Sequence, residues 1–425
     1  MHDVRELLDL GPEAVRRLER RRYALDTAGL EEAHRRRAAA LADVSGLRAE
    51  LKAAARGHGG GRPSDQAREE SRRLRERVQR AEAAVHEAET QLSELLLAIP
   101  NLPLDQVPDG HSDKEAVEVR RGGPPVTGDG PQRHHADLGE ALNILDSSRA
   151  ARLSGARFTV TRGPGARLER ALGDFFLDLH TQEHGYTEHT VPYLVNRQTM
   201  TGTGQLPKFE DDLFATRVGD RELFLVPTAE VPLTSLVAGE LLPADELPLA
   251  FTSRTPCFRA EAGSYGRDTR GILRLHQFEK VELVRVCAAE DAPAQLERMV
   301  THAEECLRRL ELSYRVVLLP AGDLGFSARM TYDIEVWLPG SAAFREISSV
   351  SDCGTFQARR AGIRVRTPGG GKEAAATLNG SALPVGRTLA ALLEQGQRPD
   401  GSVELPKALH SYTGFSRILA DGSTN

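Results

Sequence analysis

A group of charged and polar side chains that could do chemistry lies between residues 257 and 283. Arg259 and Glu261 are two positions apart, so a β-strand would place both side chains on one face. An arginine beside a carboxylate on that face could hold a phosphate and an amine donor at the same time. Lys280 and Glu282 would share a face of the returning strand in the same way. The segment is therefore a candidate binding site for a phosphate-bearing substrate, with a surface hairpin of salt bridges as the alternative.

A glycine-containing loop over residues 263–271 would join the two strands. It carries Arg267 and Arg270, two cations that could close over a polyanion. The sequence has no match to the GxxxxGK[ST] loop that binds phosphates in many nucleotide-binding proteins. Any nucleotide site must therefore be built in another way.

The elements that would position these residues are a helix and a series of short strands. An amphipathic helix ending near Gly185 is predicted by apolar residues at helical spacing, namely Leu168, Leu172, Phe175, Phe176 and Leu179. Strand-like runs follow at 223–226, 280–286, 315–319 and 333–337. Long irregular segments separate these runs, which favours an antiparallel sheet over regular βαβ alternation. The sequence therefore predicts an α+β domain.

The first part of the chain has a different pattern, with small or apolar residues at alternating three- and four-residue steps. Residues 30–54 begin this pattern, and residues 74–99 repeat it, with Leu95 as one of the seam positions. The glycine- and proline-containing stretch 57–64 between them would break a helix. We therefore predict an antiparallel helical hairpin, a coiled-coil arm with limbs of about 40 Å.

Prolines and glycines become frequent after Pro100, which indicates a linker. We place the domain boundary there, with a helical N-terminal domain over residues 1–105 and the α+β domain over residues 106–425. Charge is distributed unevenly between the two parts of the chain. Residues 1–100 hold 19 Lys and Arg against 18 Asp and Glu, and the other 325 residues hold 36 against 43.

One cluster of basic residues in the predicted arm could bind phosphates, although a solvated helix face is the alternative. Glu76 is the only acidic residue that the sequence places among them. The cluster consists of Arg72, Arg73, Arg75, Arg77 and Arg80.

Composition narrows the class of protein. The 425 residues are 40% apolar and 27% charged, which is typical of soluble globular proteins and excludes disordered and fibrous classes. No apolar run approaches the roughly 20 residues that span a bilayer, and the N-terminus lacks the basic and apolar segments of a signal peptide. The four cysteines lie far apart without a CxxC pair, which argues against a disulfide framework and a zinc site. We predict a cytoplasmic protein with no membrane partner.

Three segments resemble the sequence motifs of class II aminoacyl-tRNA synthetases. Arg259-Ala260-Glu261, with the loop and strand after it, resembles motif 2, and residues 379–388 at the start of a helix resemble motif 3. The helix and strand over residues 168–192 resemble motif 1, which lies at the dimer interface in that class. More specifically, the chain resembles the bacterial seryl-tRNA synthetases over nearly its whole length, and the N-terminal hairpin is similar to the arm that grips tRNA in that family. Further segments that carry the resemblance are 201–209, 227–231, 344–349 and 356–360.

The resemblance implies a serine–tRNA ligase in which an antiparallel class II catalytic domain follows a tRNA-binding arm. Such an enzyme activates L-serine with ATP, giving seryl-adenylate and diphosphate, and then transfers the seryl group to tRNA(Ser). Whether tRNA(Sec) is a second acceptor is left open. The resemblance also implies a homodimer and Mg²⁺ with ATP as the cofactor, whereas no zinc is expected.

The resemblance assigns roles to individual residues. Arg259 would bind the α-phosphate of ATP and Arg387 the γ-phosphate, and these two are the candidate catalytic residues. Glu346 and Ser349 would bind Mg²⁺. The whole ATP site would consist of Arg259, Ala260, Glu261, Glu346, Ile347, Ser348, Ser349 and Arg387. The serine site would consist of Thr228, Ala229, Glu230, Glu282 and Ser381.

One of these assignments has a simpler alternative, and the neighbouring histidines are expected to have no catalytic or metal-binding role. Without the resemblance, the first three residues of the serine site would suit a helix cap, since a threonine followed by an acidic residue is common at helix N-termini. His134 and His135 could be taken as metal ligands. Side chains of adjacent residues point apart on a strand or a helix, however, so we expect no shared metal there. His276 is expected to pack rather than to transfer protons.

The sequence departs from the family near the serine site. Ala382-Leu383-Pro384 follows Ser381 where the family has glycine, leucine and a small residue, and the proline would stiffen this loop. Val350-Ser351-Asp352-Cys353 stands where the family more often has Cys-Ser-Asn-Cys. Two alternatives therefore stay open. One is a specialised paralogue for antibiotic self-resistance or for biosynthetic supply of seryl-tRNA, and the other is an inactive binding protein on a synthetase scaffold.

Overall fold

The computed structural model describes residues 1–56, 64–126, 132–262, 270–367 and 369–425. It divides into two compact units after Pro100, while the domain boundary between residues 105 and 106 stays a prediction. Most of the predicted helix break at 57–64 and of the loop at 263–271, including Arg267, lies outside the described residues. Among the residues described, no helix combines the length and the apolar character that a membrane span requires.

The N-terminal unit is built from helices, numbered here along the chain as α1 (Val4–Leu10), α2 (Pro12–Glu19), α3 (Thr27–Arg56) and α4 (Asp65–Ala98). The long helices α3 and α4 pack against each other along a seam of small and apolar residues. Two ion pairs join the helices, Arg37–Glu89 at 3.1 Å and Arg48–Glu82 at 2.6 Å, so that the residue nearer the start of α3 pairs with the residue nearer the end of α4. The predicted antiparallel helical hairpin is therefore confirmed.

The seam differs from the predicted heptad in its last step. Leu95 is 38% exposed, whereas Leu96 is 6% exposed. Leu92, Leu96 and Ile99 lie on one buried face because an α-helix repeats every 3.6 residues, and a strict seven-residue repeat drifts away from that face. The prediction that Leu95 belongs to the seam is wrong.

Because Leu96 rather than Leu95 lies in the seam, substitutions of these two neighbours should have different effects on stability. Leu96→Ala would leave a cavity in the seam and is expected to destabilise the protein by about 2–4 kcal/mol. Leu95→Ala removes a side chain that is already exposed to water, so stability should change by less than about 1 kcal/mol. Urea unfolding of the two full-length variants measures the difference, and equal destabilisation would contradict this assignment of the seam.

The basic cluster of α4 has more acidic neighbours than predicted. Arg72 and Arg73 both contact Glu69, at 2.8 Å and 3.1 Å, and Arg77 lies 3.5 Å from Glu50 on α3. The first two pairs are three and four residues apart and therefore neighbours on the helix surface. Part of the cluster is thus neutralised within the arm, and the prediction of a single acidic neighbour is wrong.

The C-terminal unit is built on an eight-stranded sheet, antiparallel except for one edge pair. From edge to edge, with strands numbered along the chain, it consists of β1 (Val117–Gly122), β9 (Tyr314–Leu318), β10 (Met330–Leu338), β11 (Ala343–Asp352), β14 (Ala376–Pro384), β8 (Gln277–Cys287), β7 (Leu249–Phe258) and β2 (Thr187–Glu188). The strands predicted from residues 280–286, 315–319 and 333–337 are the inner strands β8, β9 and β10. The predicted antiparallel α+β fold is confirmed.

Smaller sheets lie beside the main sheet. One consists of β3 (Leu194–Val195), β4 (Ala215–Val218) and β5 (Arg221–Leu225). A second consists of β6 (Leu241–Pro243), β12 (Arg364–Arg366) and β13 (Lys372–Ala374), and a third of β15 (Val403–Glu404) and β16 (Arg417–Ile418). The helices of this unit are α5 (His135–Ala141), α6 (Ser147–Ser154), α7 (Pro164–Gln182), α8 (Arg197–Thr203), α9 (Glu230–Ser235), α10 (Ala292–Arg309), α11 (Phe356–Ala361), α12 (Val385–Gly396) and α13 (His410–Thr413).

The apolar core forms where α7, α10 and α12 pack against the main sheet. Side chains alternate along a strand, so each strand can serve two faces. On β8, Val281 and Leu283 enter this core, whereas Lys280 and Glu282 point away from it and form an ion pair of 2.5 Å. The prediction that these two charged residues share one face is confirmed.

Candidate active site

A cavity of about 820 Å³ opens on the face of the main sheet that bears Lys280 and Glu282. Its charged and polar lining includes Thr228, Glu230, Arg259, Glu261, Lys280, Glu282, Glu346, Ser349, Asn379 and Ser381. An adjoining cavity of about 150 Å³ shares several of these residues and adds Arg387. Side chains from β8, β11 and β14, and from the segment after β7, therefore converge on one space.

Within the described part of the chain, four of the predicted site residues are not among those that line the two cavities. Ala229 and Ile347 are fully buried. The hydroxyl of Ser348 is buried and donates to the carbonyl oxygen of Ser381 at 2.6 Å. The fourth, Ala260, is part of the turn that follows β7. Any role of these four in substrate binding stays a prediction.

Arg259 lies directly beyond the end of β7. Its backbone N–H donates to the carbonyl of His276 at 3.0 Å, and its Nε donates to the carbonyl of Pro227 at 3.2 Å. Its guanidinium lies 5.4 Å from the centre of the Phe278 ring. Among the described residues, no carboxylate forms an ion pair with Arg259, so its positive charge is available to an anion in the cavity.

Glu261 does not continue the strand. The N–H of Ala260 donates to the carbonyl of Asp212 at 2.9 Å, and Glu261 has a positive φ of 54°. Its carboxylate pairs with Arg274 at 2.8 Å. The prediction that Arg259 and Glu261 share a strand face is therefore wrong, because β7 ends before both of them, although both line the cavity.

Arg387 is in the first turn of α12 and joins two segments of the site. Its Nε donates to the carbonyl of Leu273 at 3.1 Å, and its Nη1 donates to the carbonyl of Glu346 at 2.8 Å. The same nitrogen lies 3.2 Å from the Glu346 carboxylate, whose side chain is half exposed. The Arg387 charge holds the pKa of Glu346 below its ordinary value, so this carboxylate stays ionised.

A β-bulge brings the two predicted metal ligands to one face of β11. Glu346 and Ser349 are three residues apart, and a regular strand would place them on opposite faces. Glu335 on β10 pairs with Glu346, while the preceding residue on β10 pairs with Ser348, so Ile347 has no partner and forms the bulge. The extra residue restores a common face, and both side chains line the cavity.

Asp333 is a site residue that the sequence argument missed. It lies on β10 opposite Ser349, whose side chain is hydrogen-bonded to it. Burial and the neighbouring Glu346 carboxylate raise the pKa of Asp333 well above its ordinary value. One of its carboxylate oxygens has no hydrogen-bond partner in the described part of the chain. The available signal was an acidic residue at the start of the strand-like run 333–337.

The other end of the cavity is suited to an amino group and a small polar side chain. The Glu230 carboxylate accepts hydrogen bonds from Gln357 at 2.6 Å and from Asn379 at 3.1 Å. Burial and the charge of Glu282 raise the pKa of Glu230 to about 7. Ser381 on β14 is the register partner of Glu282 on β8. Gln357 and Asn379 belong to segments that carry the family resemblance, but no sequence pattern indicates that they contact Glu230.

Thr228 lies at a helix end and also lines the cavity. Its Oγ accepts a hydrogen bond from the N–H of Glu230 at 3.2 Å, at the start of α9. The residue is also one of those that line the cavity. The helix-end contact explains how a short segment is held in place, and it does not exclude contact with a ligand.

The departures from the family pattern lie mostly behind the cavity. Ala382 is fully buried and lacks a register partner between β14 and β8. Val350 is also fully buried. Pro384 lines the smaller cavity and precedes α12 with φ of −70°, close to the angle that its ring imposes, so it fits without strain.

His134, His135 and Glu394 are close enough to be considered as metal ligands. The two imidazole rings are 4.0 Å apart, so the prediction that adjacent histidines point apart is wrong here. The reason is that α5 begins between them, with His134 in extended backbone as its N-cap. Both ring nitrogens of His135 form hydrogen bonds, Nδ1 with Glu394 and Nε2 with the N–H of Ile272, and His134 Nδ1 accepts from the N–H of Ala136.

Comparison with known proteins identifies both units. Residues 1–103 match the family described as "Seryl-tRNA synthetase N-terminal domain", and residues 209–396 match the "tRNA synthetase class II core domain (G, H, P, S and T)". "Serine--tRNA ligase 2" of Streptomyces avermitilis is 72% identical, with full coverage of both chains. "Serine--tRNA ligase" of Nitratidesulfovibrio vulgaris is 49% identical over 98% of this chain and 99% of its own.

Two solved structures are similar over nearly the whole chain. The seryl-tRNA synthetase of Pyrococcus horikoshii, complexed with ATP, has a TM-score of 0.88 and 34% identity, and covers 99% of each chain. The cytoplasmic serine–tRNA ligase of Naegleria fowleri, in complex with AMP, has a TM-score of 0.83 and 26% identity over 99% of this chain and 96% of its own. The helical arm, the antiparallel sheet with its charged cavity and these similarities agree, and the chain belongs to the seryl-tRNA synthetases of class II.

Proposed function

We propose that this protein is a serine–tRNA ligase that activates L-serine with ATP and transfers the seryl group to tRNA(Ser). The observation that carries the proposal is the pairing of two chemical environments in two adjoining cavities that share Arg259. Arg259 and Arg387 form a cationic end, and Glu230 and Glu282 form an acidic end. The negatively charged phosphates of a nucleoside triphosphate suit the cationic end, and the ammonium group of an amino acid suits the acidic end.

The first step needs alignment and charge neutralisation rather than acid–base catalysis. The serine carboxylate attacks the α-phosphorus of ATP, a new P–O bond forms, and the bond to the departing diphosphate breaks. A carboxylate is already a nucleophile, so no general base is required. Arg259 would stabilise the negative charge that develops on the α-phosphate, and Arg387 would hold the γ-phosphate end in line.

Glu346 and Ser349 would hold Mg²⁺ with the ATP phosphates. A carboxylate and a hydroxyl on one face of β11 are oxygen ligands, which Mg²⁺ prefers, and few protein ligands suffice because substrate phosphates supply others. The buried Asp333 carboxyl lies behind Ser349, and its raised pKa favours the neutral form. The ion, when bound, would neutralise charge on the phosphates.

Serine selection would depend on hydrogen bonds to the substrate hydroxyl and ammonium groups. Thr228, Glu230, Glu282 and Ser381 line the cavity close to one another in the fold. A site built to bond a substrate hydroxyl rejects analogues that lack it by roughly 10⁴–10⁵. Alanine and glycine could therefore be excluded without an editing site.

The raised pKa of Glu230 predicts that serine binding depends on pH. Below pH 7 this carboxyl is mostly protonated, and the serine ammonium group binds the ionised form. The KM for serine, measured at saturating ATP, is therefore expected to fall about tenfold between pH 6 and pH 8. In Glu230→Gln the KM should be higher and nearly independent of pH. The same pH dependence in the variant would show that another group is responsible.

The second step would use the helical arm. The seryl group passes from the adenylate to a terminal ribose hydroxyl of the tRNA, and arginines on α3 and α4 could bind the tRNA backbone. We propose tRNA(Ser) as the acceptor and leave tRNA(Sec) as a question for charging assays. A homodimer through α7 and β2 is also proposed, by the resemblance of this segment to motif 1, and sedimentation measures it. A cytoplasmic location stays a prediction.

Serine-dependent exchange of diphosphate into ATP tests the proposal without any tRNA. We expect exchange with L-serine, and little with alanine or glycine. No exchange by the purified, folded protein would overturn the proposal and favour an inactive scaffold. The specialised paralogue is tested by adding a serine-mimicking inhibitor, because ordinary inhibition would exclude a resistance role.

A further inference from the structure

A buried histidine–glutamate pair lies beside the site without lining either cavity. His135, at the start of α5, and Glu394, near the end of α12, are fully buried and joined by a hydrogen bond of 2.6 Å between Nδ1 and Oε1. On the other side of the ring, Nε2 accepts the N–H of Ile272 at 3.2 Å. Because Nε2 accepts, Nδ1 carries the proton and donates it to the carboxylate, which fixes a neutral imidazole in one tautomer.

Glu394 is held on several sides. Its Oε1 also accepts the backbone N–H of His135 at 3.0 Å, and its Oε2 accepts the N–H of Gly340 at 2.8 Å. Burial opposes ionisation, but these hydrogen bonds hold the pKa of Glu394 below its ordinary value. A buried, ionised and fully bonded carboxylate is a rigid support, and it fixes the orientation of the His135 ring.

The chain segment that the ring supports is part of the ATP end of the site. Ile272 is followed by Leu273, whose carbonyl accepts a hydrogen bond from Arg387 at 3.1 Å. The next residue, Arg274, pairs with Glu261 and lines both cavities. The His135 ring therefore fixes the start of a three-residue segment that holds two of the charged groups facing ATP.

The close approach of this segment to the ring requires a glycine. Gly271 has a φ of 81°, and a Cβ atom placed on it would lie 2.1 Å from His135 Nε2. Both the backbone angle and the space exclude a larger side chain without displacement of the ring or of the segment. The His135 ring therefore packs directly against the backbone of Gly271, with no space for a side chain at this position.

We infer that His135, oriented by Glu394, is a positioning residue for ATP, holding residues 272–274 so that Arg387 and Arg274 face the phosphates. The inference rests on the proposed function, since the substrate that it concerns is ATP. It assigns no contact between His135 and the substrate.

Two substitutions of His135 separate its two hydrogen bonds. Asparagine places an amide at the position of Nδ1 and keeps a donor for Glu394, but leaves the N–H of Ile272 without an acceptor. Glutamine reaches the position of Nε2 and can keep that acceptor. In diphosphate exchange, His135→Asn is expected to raise the KM for ATP about tenfold, as for a buried donor left unpaired, with the KM for serine unchanged. His135→Gln should restore most of the affinity for ATP.

His180→Gln is the matched control, because His180 is equally buried but bonds His184 and Cys306 between α7 and α10. It is expected to lower the melting temperature without changing the KM for ATP. If His135→Asn does not fold, Gly271→Ala tests the same contact from the other side and should also raise the KM for ATP. An unchanged KM for ATP in the folded variants, or an equal rise in His180→Gln, would overturn the inference. Absence of exchange in the unmodified protein would instead refute the proposed function.

Discussion

Replacing Arg259 with alanine is expected to lower the rate constant of serine-dependent diphosphate exchange about 10²–10³-fold, a loss of about 3–4 kcal/mol in the transition state. The reason is that this guanidinium has no carboxylate partner in the described part of the chain and faces the cavity. Its charge therefore contributes little to folding and is free to stabilise the negative charge that develops on the α-phosphate. The melting temperature should change by only a few degrees.

Two comparisons make this prediction specific. Arg259→Lys keeps a point charge without the planar fork and should recover only part of the rate. Arg315→Ala is the control, because Arg315 on β9 is paired with Glu335 at 2.5 Å and with Glu118 at 3.4 Å, and it should leave exchange unchanged. A normal rate constant in folded Arg259→Ala would contradict the role of this residue in catalysis. A loss in the control as large as in Arg259→Ala would show that the effect is not specific to the site.

The regular parts of the fold were predictable because simple periodicities apply to them. Lys280 and Glu282 are two residues apart within β8, so strand alternation predicts their common face correctly. The same rule failed for Arg259 and Glu261 because β7 ends one residue earlier, and the chain turns through a positive φ at Glu261. Predictions from residue spacing are therefore valid inside a helix or strand but fail where the element ends.

The arrangement of Glu346 and Ser349 could not be derived from the sequence. Their odd spacing argues against a common face, and only the register between β10 and β11 reveals that Ile347 is an extra residue. The resemblance to a known family selected both residues, whereas the physics of a regular strand would have rejected one of them. A bulge is a tertiary property, because the partner strand defines it.

Contacts between segments that are far apart in the chain are the second kind of feature that could not be predicted from the sequence. His135 and Glu394 are 259 residues apart, and neither residue has a neighbour in sequence that indicates the other. Asp333 is similar, since its neighbours Glu346 and Ser349 come from the following strand. The sequence therefore identified the charged groups that line the cavities, but not the buried groups that hold them.

Shortening the arm is expected to separate the two steps of the reaction. Removing residues 41–86 and joining the ends with a short glycine-serine linker keeps the Arg37–Glu89 pair at the base of the hairpin. The cavity residues all belong to the other compact unit, so diphosphate exchange should stay within about twofold of the unmodified protein. Charging of tRNA(Ser) should fall at least about 100-fold, because the phosphate contacts of the arm are lost.

A milder variant tests whether the loss arises from charge on the arm. Arg75 and Arg80 are exposed on α4 and form no ion pair within the described ranges, so their charges are available to a polyanion. Arg75→Gln combined with Arg80→Gln should weaken charging less than the deletion does and reduce its dependence on salt concentration, since each lost phosphate contact lowers the number of ions released on binding. Exchange should again be unchanged. If the deletion impaired exchange and charging equally, the arm would be needed for the fold of the catalytic unit, and a dedicated role in tRNA binding would have to be abandoned.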